Sequence, residues 1–142
     1  MEDKEKFEGF KQRTLSENEE KYGQEVREKF GDSVVDKANQ KFSNMTAQEY
    51  AEVTELTEMV NQALADAVRS ADVEGPEAQR LCELHAKWLT YFWPEGMYTP
   101  EAHLSLAQTY TLDDRFKRYY EAIAPGGAEF LYEALQSYLP SR

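Results

Sequence analysis

The chain has 142 residues, a formal net charge of −11 and a single cysteine, Cys82. That length suits one domain with its own core, and one cysteine excludes an intrachain disulfide or a thiolate metal cluster and suits a reducing cytoplasm. The acidic excess is spread along the chain and no basic face forms, which argues against a direct nucleic-acid contact; the charged start MEDKEKFEGF argues against a signal peptide or membrane span.

Almost every segment reads as helix, because β-branched residues are scattered, no stretch alternates with period two, and Gly and Pro fall where helices would end. Residues 2–30 are polar, with sparse apolar marks at Phe7, Phe10, Leu15, Tyr22, Val26 and Phe30 and a natural C-terminal stop at Gly31. A short helix follows, with Val34, Val35, Ala38 and Phe42 on one side. Thr46 and Glu49 form a capping box ahead of the strongest periodicity in the chain, from Tyr50 through Val53, Leu56, Val60, Leu64 and Ala67 to about residue 72. The VEGP stretch breaks it, and Pro76 suits the first turn of the next helix, which carries Leu81, Leu84, His85, Trp88, Leu89 and Phe92 on one broad face.

Pro94 and Gly96 end that helix, and Thr99–Pro100 opens another to about Tyr110. Thr111 is expected to cap a helix across Asp113 to Ala124, and Ala128 to Leu139 form the last one. Six or seven helices result, most of three or four turns, and such lengths pack at steep angles around a compact centre as globin-like folds do. The fold class is therefore all-α. From amphipathic spacing Leu84, Leu89, Phe116, Phe130, Leu131 and Leu135 belong to the core.

Twelve of the 18 aromatic residues lie between His85 and Tyr138. A ring-rich core and a pocket stacking on a flat apolar ligand both fit this concentration. Little else carries chemistry. His85 and His103 are 18 apart without a metal-ligand spacing, so no metal is expected, and His85 beside Trp88 reads as a hydrogen-bonded core histidine. No nucleophile elbow, phosphate loop or dinucleotide motif is present. Arg115 within YTLDDRF reads as a buried arginine locking helix ends to a carboxylate.

The segments HAKWLTYF and YTLDDRFKRYYEAIAPGGAEFLYEALQSY resemble the TipAS family of antibiotic-recognition domains, found at the C-terminus of MerR-like transcription activators and also as stand-alone proteins. The matching positions are His85, Leu106, Tyr110, Asp113, Arg115, Phe116, Tyr120, Glu121, Pro125, Gly126, Ala128, Phe130, Leu131, Ala134 and Leu135, and YGQEVREKFGDS resembles the family's acidic helix. The resemblance implies a globin-like domain that takes bulky, ring-rich peptide antibiotics such as thiopeptides in an aromatic cleft, with an N-terminal segment that can fold over the ligand. The chain is then one domain over residues 1–142, a lid-like segment at 1–44 and a helical core at 45–142. The expected lining is Trp88, Tyr91, Phe92, Trp93, Tyr98, His103, Ser105, Tyr110 and Tyr120, with Phe7, Phe10 and Tyr22 from the lid. Family members that trap dehydroamino acids covalently carry a cysteine where this chain has Ser105, so capture here is expected to be non-covalent. The turn WPEGMYTP, longer than the family's usual connection, adds Trp93, Met97 and Tyr98.

The resulting expectation is a cytoplasmic, non-enzymatic module without cofactor that binds a hydrophobic, peptide-antibiotic-like molecule in drug sensing or resistance. Two rivals stand beside it: the effector half of a regulator with a separate DNA-binding domain, and a Cys82-dependent hydrolase.

Overall fold

A computed structural model describes residues 3–139, and the side chains from residue 5 onward. Those residues form seven helices and no strand: α1 (Asp3–Phe30), α2 (Asp32–Ser43), α3 (Ala47–Ser70), α4 (Pro76–Phe92), α5 (Pro100–Leu112), α6 (Asp114–Ile123) and α7 (Gly127–Tyr138). The all-α reading holds. Contacts gather the chain into two compact units, Met1–Glu52 with Phe92–Pro94, and Val53–Tyr91 with Glu95–Arg142.

In the first unit α1 and α2 form an antiparallel pair with one residue between them. That residue is Gly31, whose φ of 90° lies in the left-handed region that glycine adopts without strain. Its amide donates to the Arg27 carbonyl at 2.8 Å and closes α1. Polar anchors then make up for the shortage of apolar residues on α1. The Arg27 guanidinium reaches Glu19 of its own helix at 2.7 Å, and Asp32 at 3.2 Å and Asp36 at 2.8 Å at the start of α2.

Near the open end of the pair, Lys11 is only 1% exposed and spends its three ammonium protons on three oxygens. These are the Ser43 carbonyl at 2.6 Å, the Met45 carbonyl at 2.7 Å and the Glu8 carboxylate at 3.0 Å. A cation at the C-terminal end of α2 also faces the negative end of that helix. Phe7 and Phe10 pack edge-on against Tyr50, with ring centroids 5.5 and 5.4 Å apart. Tyr22 and Phe30 point outward, so the stripe expected at Tyr22, Val26 and Phe30 buries little.

The Thr46–Glu49 capping box is formed in both directions: the Thr46 hydroxyl accepts from the Glu49 amide, and Glu49 accepts from the Thr46 amide, each at 3.0 Å. The Thr46 hydrogen bonds hold the Glu49 carboxyl below its ordinary range.

The second unit holds the apolar core. Leu56, Val60 and Leu64 of α3, Leu81 and Cys82 of α4, Tyr110 of α5, Tyr120 of α6, and Leu131 and Leu135 of α7 meet there. Ala63, Ala67, Ala78, Ala107, Ala128 and Ala134 fill the spaces between them, and small side chains at these positions let helices come close. Each fully buried leucine contributes about 2 kcal/mol of transfer free energy. Gly126 ends the break between α6 and α7 at φ 77°, and a Cβ on Gly127 would stand 2.9 Å from the Tyr120 carbonyl oxygen.

Three sequence expectations need correction. Phe116 is 40% exposed: one side of its ring rests on Tyr110, at 5.4 Å between centroids, and the other faces out. The apolar spacing of α6 is carried inward by Tyr120 instead. Asp113, not Thr111, caps α6, because its carboxylate accepts from the Arg115 amide at 2.9 Å while the Thr111 hydroxyl donates to the Gln108 carbonyl within α5. Arg115 is exposed, and its bidentate pairing to Asp113 at 3.0 and 2.6 Å is a local clasp on the cap rather than a buried lock.

Candidate functional site

The face of α4 that carries Leu81, Cys82, His85 and Leu89 at helical spacing is turned inward, and the spacing that buries the leucines buries His85 with them. Thr99 caps α5 by accepting from the Ala102 amide at 3.0 Å, and Pro100 opens the helix, which brings His103 inward in the first turn. Both imidazoles are almost wholly shielded from solvent, and their ring planes lie within 16° of each other.

A continuous polar chain results. His85 Nδ1 is 2.7 Å from His103 Nε2, and His103 Nδ1 is 2.8 Å from the hydroxyl of Tyr98, a half-buried residue in the turn before α5. The fourth nitrogen, His85 Nε2, has no hydrogen-bond partner among the described residues. Rings surround this chain. Trp88, one turn along α4, lies near-parallel to His85 at 28° and 5.8 Å, and its indole N–H donates to the Thr57 hydroxyl at 2.8 Å. Tyr110 meets His85 edge-on at 5.9 Å and packs on Tyr120 at 4.7 Å.

The electrostatics keep every member neutral. Burial pushes His85 down to about 3, assisted by repulsion from His103, and burial alone pushes His103 down to about 4. Burial likewise raises the phenols of Tyr98, Tyr110 and Tyr120, with Tyr110 reaching about 12. An uncharged, ring-walled set of donors and acceptors suits recognition of neutral aromatic and amide groups. It does not suit general acid–base catalysis at neutral pH, which needs groups poised near 7.

Cys82 offers no nucleophile. Its thiol is fully buried and raised to about 12 by burial, and the nearby His85 is bonded to His103 instead. Among the described residues no group of three or more His, Cys, Asp or Glu is arranged to hold a metal ion. Nor is any helix among the described residues long and apolar enough to cross a membrane.

The expected lining residues divide between the units. In the second, Trp88, Tyr98, His103, Tyr110 and Tyr120 come together around His85, with Tyr110 and Tyr120 buried among the core residues. Tyr91 packs half-buried against the same core, while Ser105 is exposed on α5. In the first unit Phe7 and Phe10 meet Tyr50, Tyr22 is exposed, and Phe92 and Trp93 are half-buried, with the Trp93 carbonyl accepting from Lys41 at 2.8 Å. The reading of His85 as a hydrogen-bonded core histidine holds, but its partner went unforeseen. The spacing of 18 residues hid a pairing that depends on two helices and the turn between them.

Against known proteins, the TipAS antibiotic-recognition domain matches residues 22–138. The HTH-type transcriptional regulator SkgA of Caulobacter vibrioides, in two strains, is 28% identical over 147 aligned residues that take in all of this chain. The chain spans 55% of that relative's length. No solved structure gives a significant match. With a family match that runs from late α1 to the end of α7, the chain belongs to the TipAS antibiotic-recognition domain family.

Proposed function

We propose that this domain binds a bulky, neutral, ring-rich molecule of the peptide-antibiotic type, and that it does so without chemistry. The observation that carries the reading is the uncharged chain of Tyr98, His103 and His85 walled by Trp88 and Tyr110, within a chain of the antibiotic-recognition family. Stacking and desolvation supply affinity in such a setting, and a few neutral polar atoms orient the ligand. Ser105 in place of a cysteine, and a sole thiol that is buried, favour reversible capture. The closing role expected of Phe7, Phe10 and Tyr22 belongs to the same proposal, as does a cytoplasmic location.

The test is intrinsic tryptophan fluorescence titrated with a panel of thiopeptides and other peptide antibiotics, since Trp88 and Trp93 are the only tryptophans. Binding should change the emission, and intact-mass analysis after denaturation should show no adduct. Unchanged emission across the panel would overturn the reading, and a stable adduct would overturn its reversible part.

One relative favours a second reading on top of the first. SkgA is an HTH-type transcriptional regulator nearly twice the length of this chain, which supports a role as the ligand-sensing half of a regulator. A chain joined to a helix-turn-helix segment at its N-terminal side should show ligand-dependent DNA binding or promoter activation. Loss of that dependence on deleting the present domain would support this role.

A further inference from the structure

The buried polar chain can hold its protons in only two ways. A neutral imidazole has one N–H and one bare nitrogen. Where His85 Nδ1 faces His103 Nε2 at 2.7 Å, one nitrogen must carry the proton and the other must not. If His85 Nδ1 donates, His103 Nε2 is bare, so His103 Nδ1 is protonated and donates to the Tyr98 hydroxyl oxygen 2.8 Å away. His85 Nε2 is then a bare acceptor. If the Tyr98 hydroxyl donates instead, His103 Nε2–H donates to His85 Nδ1 and His85 Nε2 becomes an N–H donor. The two rings therefore share one tautomer, both Nδ1–H or both Nε2–H, since a mixed pair sets two protons or two lone pairs face to face. Passing from the first state to the second moves one proton along each hydrogen bond, while a water or ligand N–H reaching His85 Nε2 supplies a proton there and the half-buried Tyr98 hydroxyl releases its own to solvent, so that no charge is created on the chain.

The chain has one buried end without a partner. His85 Nε2 lies on a residue that is 1% exposed, and no described residue bonds to it. Native interiors rarely leave such an atom unmatched, because its lost hydration is not repaid. Beside it the indole of Trp88 runs near-parallel to the imidazole, a stacking surface next to a polar point.

We infer that His85 Nε2 is the polar contact for the bound molecule, and that the His103–Tyr98 relay lets this one atom present either a donor or an acceptor to a neutral amide or azole group. The inference rests on the ligand-binding reading above. It makes Tyr98, in the turn that opens α5, a specificity-determining residue that acts through His103 without needing to touch the ligand. An internal water bonded to Nε2 is the rival occupant.

The experiment uses the full chain with 15N-labelled histidine, free and with the thiopeptide thiostrepton, in wild type, Tyr98→Phe and His85→Phe. At pH 7 the two-bond 1H–15N spectrum of the free protein should show two neutral rings of the same tautomer. Tyr98→Phe removes the hydroxyl that faces His103 Nδ1, so the tautomer populations of the two rings should change, and should change together. Added thiostrepton should shift the His85 Nε2 resonance, and His85→Phe should weaken binding about tenfold, the scale of one neutral hydrogen bond. Tyr98→Phe guards against a folding defect in the core variant, because its half-buried ring is kept. Unlike tautomers or a protonated ring in the free protein would overturn the relay. Thiostrepton that binds the wild type while the His85 nitrogen stays unmoved would overturn the contact and point to internal water. Absence of binding to the wild type would remove the ligand reading and the contact together.

Discussion

At the scale of single residues, the buried histidines make this protein sensitive to acid in a direction that can be stated in advance. An exposed histidine in the unfolded chain titrates near 6.5, whereas burial holds His85 at about 3 and His103 at about 4 in the folded state. Because both folded values are depressed, the unfolded chain binds protons first as pH falls below 6.5. Stability is fully present above that pH and drains as pH drops, toward 4 for His103 and toward 3 for His85. At pH 5 each imidazole costs about 2 kcal/mol, the value of a 1.5-unit gap between solution pH and the unfolded titration point. Urea midpoints should therefore fall from pH 7.5 to pH 5, and His103→Gln should flatten that dependence; a midpoint indifferent to pH would contradict the neutral buried pair. Gly127 gives a second residue-scale test. A methyl there would press on the Tyr120 carbonyl at 2.9 Å and on Leu64 at 3.3 Å, and a backbone oxygen cannot swing aside as a side chain can. Gly127→Ala should cost about 1–3 kcal/mol in chemical denaturation, the range for overpacked sites.

At the scale of elements, α1 shows how a helix with few apolar residues is fixed in place. Its own sequence offers Phe7, Phe10 and Val26, and much of its attachment is carried by two cations. Arg27 ties the turn at Gly31 together, and Lys11 closes the far end of the pair onto the Ser43 carbonyl that ends α2 and the Met45 carbonyl just beyond it. Lys11→Met keeps the bulk of the side chain and removes its three donors. It should loosen α1 from α2 by about 2–3 kcal/mol, the range for hydrogen bonds to a charged group. Hydrogen exchange should register it as faster amide exchange in α1 and α2, with little change in α7. Equal acceleration everywhere would mean that the pair is not a separate cooperative element.

At the scale of the whole molecule, much of the helix order was legible in the chain and the tertiary polar pairings were not. The capping box at Thr46 and Glu49, the Thr99–Pro100 start and the Gly126 break each rest on chemistry within a few residues, and each is where its spacing placed it. Phe116 misled because it shares the face of Tyr120 one turn earlier, at the N-terminal end of the ten-residue α6, where Tyr110 covers only one side of its ring. Lys11 and Arg27 gave no signal at all, since a lone cation in a charged helix looks like any solvated one until its distant carbonyls and carboxylates are known. The pairing of His85 with His103 was hidden for the same reason, whereas the core reading left open for the ring-rich segment applies to Tyr110 and Tyr120, which are both buried. The rings around His85 in the second unit thus resolve into a packed set on α5 and α6 and a polar-tipped set at Trp88 and Tyr98.

The fully buried thiol of Cys82 makes the protein its own clock. A maleimide can react with it only in molecules whose second unit has transiently opened, so the labelling rate counts opening events under native conditions. In the free protein labelling should be slow and should accelerate in step with added urea. A saturating ligand that binds only the closed form should slow it by the factor 1 + [L]/Kd. Rapid labelling in the absence of denaturant would show that the shell around Cys82 breathes far more often than its packing implies.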